Sequence, residues 1–133
     1  MIDRGFRNNN PGNIRLGQPW QGLSPTQTDP AFCQFVDPKW GIRAIAKIMM
    51  SYKEEGVQTI GQAITHWSPP SDSNPTDSYI QNVAKACSID PNNVVDITAL
   101  SILPNIIKAI IEQENGSQPY SDDTINEAIS LAE

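Results

Sequence analysis

From residue 37 onward, apolar residues recur at three- and four-residue spacing in segments that begin at a capping residue and end near glycine or proline. Apolar side chains at this spacing share one face of a helix, and a capping side chain binds the free N–H groups at the helix start. The predicted helices begin at Asp37-Pro38, Thr59, Asn74-Pro75, Thr98 or Ser101, and Ser121. This pattern limits the chain to a mainly helical fold.

The first 36 residues lack this periodicity and are rich in Gly, Pro and Asn. They predict loops with short extended pieces, such as Ala31–Val36. A length of 133 residues lies within the usual size of one domain. We therefore expect a single, mainly α domain over residues 1–133, with about five or six helices and an irregular N-terminal lobe.

Charge is distributed unevenly along the chain. Residues 1–53 hold seven Lys and Arg against three Asp and Glu (+4), and residues 54–133 hold two against twelve (−10), which together give the net charge of −6. Nucleic-acid binding needs a positive surplus, so no nucleic-acid partner is expected. Only the first third of the chain can present a basic face, which would suit an anionic substrate.

Other classes of function lack support in the sequence. No apolar run approaches the ~18 residues of a membrane-spanning helix, and the polar, basic N-terminus is not a secretory signal, so we expect neither membrane insertion nor a signal peptide. Cys33, Cys87 and the single histidine, His66, do not supply a four-ligand zinc set, and no cofactor is implied. Whether the two cysteines form a disulfide stays open. His66 lies on the polar side of its predicted helix, which disfavours a nucleophile–histidine pair.

One carboxylate continues an apolar helix face. Leu103, Ile107 and Ile110 form a stripe, and Glu114 lies about 40° from Ile110 around the helix, whereas Glu112 points about 160° away. Burial and the negative end of the helix dipole both favour the neutral form of a carboxyl group, which a general acid needs. The alternative is a frayed last turn that leaves Glu114 in water.

Short motifs add a resemblance. Gln113-Glu114-Asn115-Gly116 at the end of an apolar helix resembles the Glu-Ser-Gly signature of the lysozyme superfamily, whose lytic transglycosylases and related peptidoglycan hydrolases carry the catalytic Glu there. The segment from Asn8 to Arg15 resembles the Asn-rich segment of flagellar-type glucosaminidases, and residues 67–79 are similar to a later segment of that family. The N-terminal segment from Arg4 to Arg15 is also similar to small bacteriophage virion or structural proteins.

The order of these motifs departs from that of the resembled family. In the glucosaminidases the Glu helix precedes the Asn-rich loop, whereas here it comes near the C-terminus. A circular permutation reconciles the two orders, because the termini of such domains often lie close together. The resemblance thus implies a circularly permuted, lysozyme-like α+β fold.

The resemblance also implies an activity, namely cleavage of the peptidoglycan glycan strand between N-acetylmuramic acid and N-acetylglucosamine. Glu114 would be the general acid and Asp29 the candidate second carboxylate, although lytic transglycosylases act with a single Glu. The expected substrate-binding residues are Asn8, Asn9, Asn10, Asn13, Arg15, Trp67 and Tyr79. Aromatic residues on helices are more often core residues, and Asn-Pro-Gly runs are commonly plain turns.

The expected partners are peptidoglycan glycan strands and other virion proteins. The expected location is the virion, or the host cytoplasm with delivery to the bacterial cell wall. The alternative is a non-enzymatic virion structural or cell-wall-binding protein that keeps the lysozyme-like fold.

Overall fold

The computed structural model describes residues 3–72 and 74–133, and these residues form six α-helices and one short 3-10 helix. The α-helices are α1 (Arg4–Arg7), α2 (Pro38–Glu54), α3 (Ile60–Trp67), α4 (Thr76–Cys87), α5 (Leu103–Asn115) and α6 (Asp122–Ala132), and the 3-10 helix is Pro70–Asp72. The predicted mainly helical fold with about six helices is confirmed.

Three of the predicted helix starts are capped as expected. The side chains of Asp37, Thr59 and Ser121 each accept a hydrogen bond from a backbone N–H in the first turn. The donors are Lys39, Gln62 and Thr124, respectively. Such caps stabilise a helix by about 1 kcal/mol each.

Two helices begin one or two residues after the nearest predicted start and lack the predicted cap. Asn74 does not cap α4, because its side-chain amide donates instead to the carbonyl of Pro69, 3.2 Å away, and α4 begins at Thr76 without a side-chain cap. The long helix begins at Leu103, since Asp96 binds the backbone N–H and hydroxyl of Thr98 and holds the preceding residues in turns.

Helix α5 is the centre of the fold. It packs against α1, α2, α4 and α6, while α2 also packs on α6 and α3 on α4. Its apolar side chains Leu103, Ile106, Ile107, Ile110 and Ile111 are fully buried. Because α5 contacts four other helices, the position of its last turn is fixed from several sides.

The N-terminal lobe between α1 and α2 is irregular, as predicted. Isolated antiparallel bridges join Arg15 to Phe32 and Leu23 to Phe35, so the extended pieces are shorter than expected. Helix α1 was not predicted, because four residues are too few to show a helical period. The side-chain amide of Asn115, at the end of α5, donates to the carbonyl of Pro11 at 2.7 Å and ties the lobe to the helical part.

Within the described residues, no helix is both long and apolar enough to cross a membrane. The thiols of Cys33 and Cys87 are free, which settles the open question of a disulfide.

Candidate functional site

Glu114 lies in the last turn of α5, which Gly116 ends in the left-handed conformation (φ 83°). Its side chain is half-buried and makes two hydrogen bonds. Oε1 accepts from Nδ2 of Asn13 at 3.2 Å, and Oε2 accepts from the Tyr79 hydroxyl at 3.0 Å. The carboxyl group is therefore held by the protein, and the alternative of a frayed last turn does not apply.

A chain of hydrogen bonds runs behind Glu114. Trp67 Nε1 donates to the Tyr79 oxygen at 3.0 Å. Because an indole N–H only donates, the Tyr79 oxygen is the acceptor there and its own proton points to Glu114. Burial first, and then the Glu114 carboxylate, raise the pKa of the Tyr79 hydroxyl well above its usual range. Tyr79 thus remains a donor to Glu114.

Glu114 opens onto a cavity of about 440 Å³, which we call the Glu114 groove. It is lined by residues 12–15 of the lobe, Phe32, Ile48 and Tyr52 of α2, residues 66–69 at the end of α3, Asn74, and Glu114. Among these described lining residues, Glu114 carries the single carboxylate. The groove thus has one candidate acid on a wall of mixed aromatic, amide and aliphatic groups.

Asn10 is placed inside the lobe rather than in the groove. Its side chain is fully buried; Nδ2 donates to the carbonyls of Ile14 and Cys33, both at 2.9 Å, and Oδ1 accepts from the Ile14 backbone N–H at 2.9 Å. Both polar atoms of the Asn10 side chain are thus bonded within the protein. Asn10 therefore has a structural role, and the substrate-binding role predicted for it stays a prediction.

The side chains of Asn8 and Asn9 are also engaged within the protein. Asn8 donates to the Asp29 carboxylate at 3.0 Å and accepts from Gln34 at 3.2 Å, while Asn9 donates to the carbonyl of Phe35 at 3.0 Å. Neither residue lines the Glu114 groove. Their side chains therefore have structural contacts, and their predicted roles in substrate binding stay predictions.

Asp29 is held in a structural cluster. Its Oδ2 accepts from Arg4 Nε at 2.6 Å and from Asn8 at 3.0 Å, and its Oδ1 is paired with the other arm of the Arg4 guanidinium. The backbone N–H groups of Ala31 and Phe32 also donate to Oδ1. The side chain is 8% exposed and does not line the Glu114 groove.

These bonds change the acidity of Asp29. The Arg4 guanidinium, followed by the backbone donors and the Asn8 amide, lowers the pKa of the Asp29 carboxyl well below its usual 3.8, against the opposing effect of burial. A carboxylate whose lone pairs are occupied and whose proton affinity is this low is a poor general base. In the structure Asp29 forms an ion pair with Arg4, and its predicted role as second catalytic carboxylate stays a prediction.

We expect Asp29→Asn to lower the melting temperature at pH 7. The folded protein favours the charged form, so this stabilisation is present above the unfolded pKa of about 4 and is lost as the pH falls below it. The difference between wild type and variant should shrink progressively below pH 4 in thermal scans. Glu54→Gln, an equal charge change at an exposed position, is the control. An unchanged melting temperature with reduced peptidoglycan turnover would restore Asp29 as a catalytic candidate.

Protein P5 of Pseudoalteromonas phage PM2 is 39% identical to this chain over 127 residues, which cover 92% of this chain and 77% of P5. The chain belongs to the P5 family. The predicted similarity to bacteriophage proteins is confirmed by this relative. No protein-family model matches the chain, so membership of the lysozyme superfamily stays a prediction.

Two residues of this P5-family chain position the groove and were not predicted as site residues. The Asn115 amide donates to the carbonyls of Pro11 and Ile111, which joins the end of α5 to the loop that carries Asn13. A Cβ at Gly5 would collide with Asn115 Oδ1, so α1 approaches α5 closely only because residue 5 is glycine. In the sequence, Asn115-Gly116 is typical of a helix end, and no pattern distinguishes Gly5.

The remaining predicted site residues differ in their placement. Asn13 and Arg15 line the groove directly, whereas Trp67 and Tyr79 act through the hydrogen bonds behind Glu114, although Trp67 also lines the groove. His66 is exposed at the groove edge, with its ring 5.4 Å from that of Tyr52. In the described part of the chain, no group of three or more His, Cys, Asp or Glu side chains is arranged to hold a metal ion.

Proposed function

We propose that this chain is a phage virion-associated glycosidase that cleaves the peptidoglycan glycan strand, with Glu114 as general acid. The observation that carries the proposal is a half-buried carboxyl group, held by Asn13 and Tyr79 at the wall of a groove of about 440 Å³. The motif resemblance to lysozyme-superfamily enzymes supports the glycosidase part of the proposal, and the phage relative P5 supports the virion association.

In the first step, the Glu114 carboxyl donates its proton to the glycosidic oxygen as the C1–O bond breaks. The carboxylate that remains then accepts hydrogen bonds from Asn13 and from Tyr79. Charge-assisted bonds are stronger than neutral ones, so both donors stabilise the state that develops during proton transfer more than the starting acid. Tyr79 is in this respect a positioning residue, with Trp67 fixing the direction of its proton.

We propose the second step from the number of carboxylates in the Glu114 groove. The described groove residues supply no second carboxylate, and Asp29 is engaged elsewhere. We propose that the C6 hydroxyl of the muramyl unit attacks its own C1 and forms the new C–O bond. Its proton passes to the Glu114 carboxylate, which restores the acid and leaves a 1,6-anhydro ring. This is the reaction of a lytic transglycosylase, and it consumes no water.

The proposed fold is the circularly permuted, lysozyme-like one. Its support is the contact between the C-terminal Glu helix and the N-terminal Asn loop, with Glu114 and Asn13 separated by 101 positions in sequence and hydrogen-bonded in the structure. A permutation requires such a contact, because the two segments are neighbours in the resembled families.

The deciding experiment is digestion of purified peptidoglycan with mass analysis of the fragments. We expect 1,6-anhydromuramyl products, each lighter by one water than the product of hydrolysis. Reducing sugars in their place would keep the glycosidase proposal but overturn the single-carboxylate mechanism. No cleavage between about pH 4 and 8, with retained binding to insoluble cell wall, would favour the non-enzymatic virion protein.

A further inference from the structure

We infer that Arg15 recognises an anionic substituent on the glycan, so that the groove selects carboxylate-bearing strands over neutral ones. This inference rests on the proposed function for the class of ligand, a glycan, and adds a specificity determinant that the chemistry at Glu114 does not require. Arg15 selects the sugar strand that binds, whereas Glu114 acts on the glycosidic bond that is cleaved.

Arg15 is an exposed cation at the wall of the Glu114 groove. Its backbone is fixed by the bridge to Phe32, and its guanidinium lies over the Phe32 ring at 5.3 Å. An aromatic surface beneath a guanidinium restricts its motion while leaving its N–H edge open to a ligand. The side chain is thus partly ordered before a ligand arrives.

Arg15 takes part in none of the ion pairs formed by the described residues, which involve Arg4, Lys39, Lys53 and Lys108. Arg4 also lies over the Phe32 ring, at 4.5 Å, but Asp29 neutralises it. Of the two guanidiniums at this ring, Arg15 is therefore the one whose charge stays available.

Among the described residues that line the groove, none pairs with this charge. Its single carboxylate, Glu114, is bonded to Asn13 and Tyr79 rather than to Arg15. Arg15 lies in residues 1–53, which carry a net charge of +4 within a chain of net charge −6. Its forked donors match a carboxylate, with which they form two parallel bonds.

Within the glycan class, this chemistry separates two kinds of strand. A polymer of N-acetylglucosamine alone is neutral, whereas N-acetylmuramic acid carries a lactyl carboxylate on the same ring wherever the strand has lost its peptide; on peptide-bearing strands that carboxyl is an amide. The Arg15 guanidinium therefore finds a carboxylate partner only on the strand that carries the lactyl carboxylate. We therefore assign to Arg15 the preference for muramyl-containing strands whose lactyl carboxylate is free.

The test is binding measured by calorimetry, which does not depend on turnover. The probes are a GlcNAc–MurNAc tetrasaccharide with free lactyl carboxylates and the neutral chitotetraose. To prevent cleavage, both are titrated into Glu114→Gln and into Glu114→Gln combined with Arg15→Gln. We expect the first protein to prefer the muramyl ligand by about tenfold or more, and the second to bind both ligands alike.

Two further variants sharpen the result. Arg7→Gln removes the same charge from an exposed residue outside the groove and should keep the preference, whereas Arg15→Lys should retain only part of it. The inference would be overturned if the Glu114→Gln protein bound both ligands equally or bound neither. It would also be overturned if Arg15→Gln weakened both ligands equally, or if Arg7→Gln reduced the preference as much as Arg15→Gln does. Selective binding by a protein that cleaves nothing would overturn the proposed glycosidase activity and leave the role of Arg15 standing.

Discussion

Replacing Glu114 by Gln is expected to lower peptidoglycan cleavage by about a thousandfold while leaving the melting temperature nearly unchanged. Loss of a general acid costs about 10²–10⁴ in rate, and an amide has no acidic proton to donate. Release of muropeptides from purified sacculi, measured per folded molecule, is the readout.

The expected stability follows from the surroundings of Glu114. The new amide oxygen still accepts from the Tyr79 hydroxyl, but its NH₂ group then faces the amide of Asn13. Asn13 Oδ1 is buried and has no hydrogen-bond partner among the described residues. A flip of the Asn13 amide turns this oxygen toward the new NH₂ group and restores a bond. The substitution is thus accommodated within the groove.

Glu112→Gln is the matched control for this experiment. Glu112 lies on the same helix two residues earlier, is exposed, and does not line the Glu114 groove. The same change of charge there should leave cleavage unaltered. Equal loss of activity in both variants would mean that the active acid lies on another face of α5. Full activity in the Glu114 variant would remove it as the general acid.

Much of the helical framework could be predicted because its signals are local. A cap such as Thr59 binds an N–H only three residues away, and the stripe that ends at Glu114 is set by the helical period alone. The same period correctly distinguished Glu114, which is half-buried, from the exposed Glu112. Predictions that depend on neighbours within one or two turns therefore succeeded.

The roles of the asparagines could not be predicted, because they depend on distant partners. Asn10 and Asn13 are the same residue type in one loop, yet the first binds the carbonyl of Cys33 and the second the carboxyl of Glu114. Asp29 is a further example, because its ion pair with Arg4 forms across 25 positions. Hydrogen-bond partners at such separations leave no periodic signal in the sequence.

The aromatic residues show the same limit. Trp67 and Tyr79 were assigned to sugar contact or to the core, and in the structure they form a hydrogen-bonded chain that ends on Glu114. Helix spacing places a tyrosine on an inner face, but it does not say what its hydroxyl meets. A buried hydroxyl needs a partner, and here that partner is the candidate acid.

Asn10→Ala is expected to lower the free energy of unfolding by about 2–4 kcal/mol. The substitution removes three hydrogen bonds from a fully buried side chain and leaves the backbone N–H of Ile14 and the carbonyl of Cys33 without those partners. Each buried polar group left unpaired costs about 1–3 kcal/mol. The melting temperature should fall by roughly 10 °C, measured by circular dichroism.

The control for this prediction is Asn93→Ala, at an exposed position whose side chain makes no hydrogen bond with the described residues. Its effect should stay within about 0.5 kcal/mol. The two variants together distinguish a sugar-binding role of Asn10 from a structural one. A side chain that binds sugar would raise the KM for peptidoglycan and leave the melting temperature alone. One that holds the Asn13 loop against Cys33 lowers the melting temperature first, because the loop loses its internal anchor before any ligand is present.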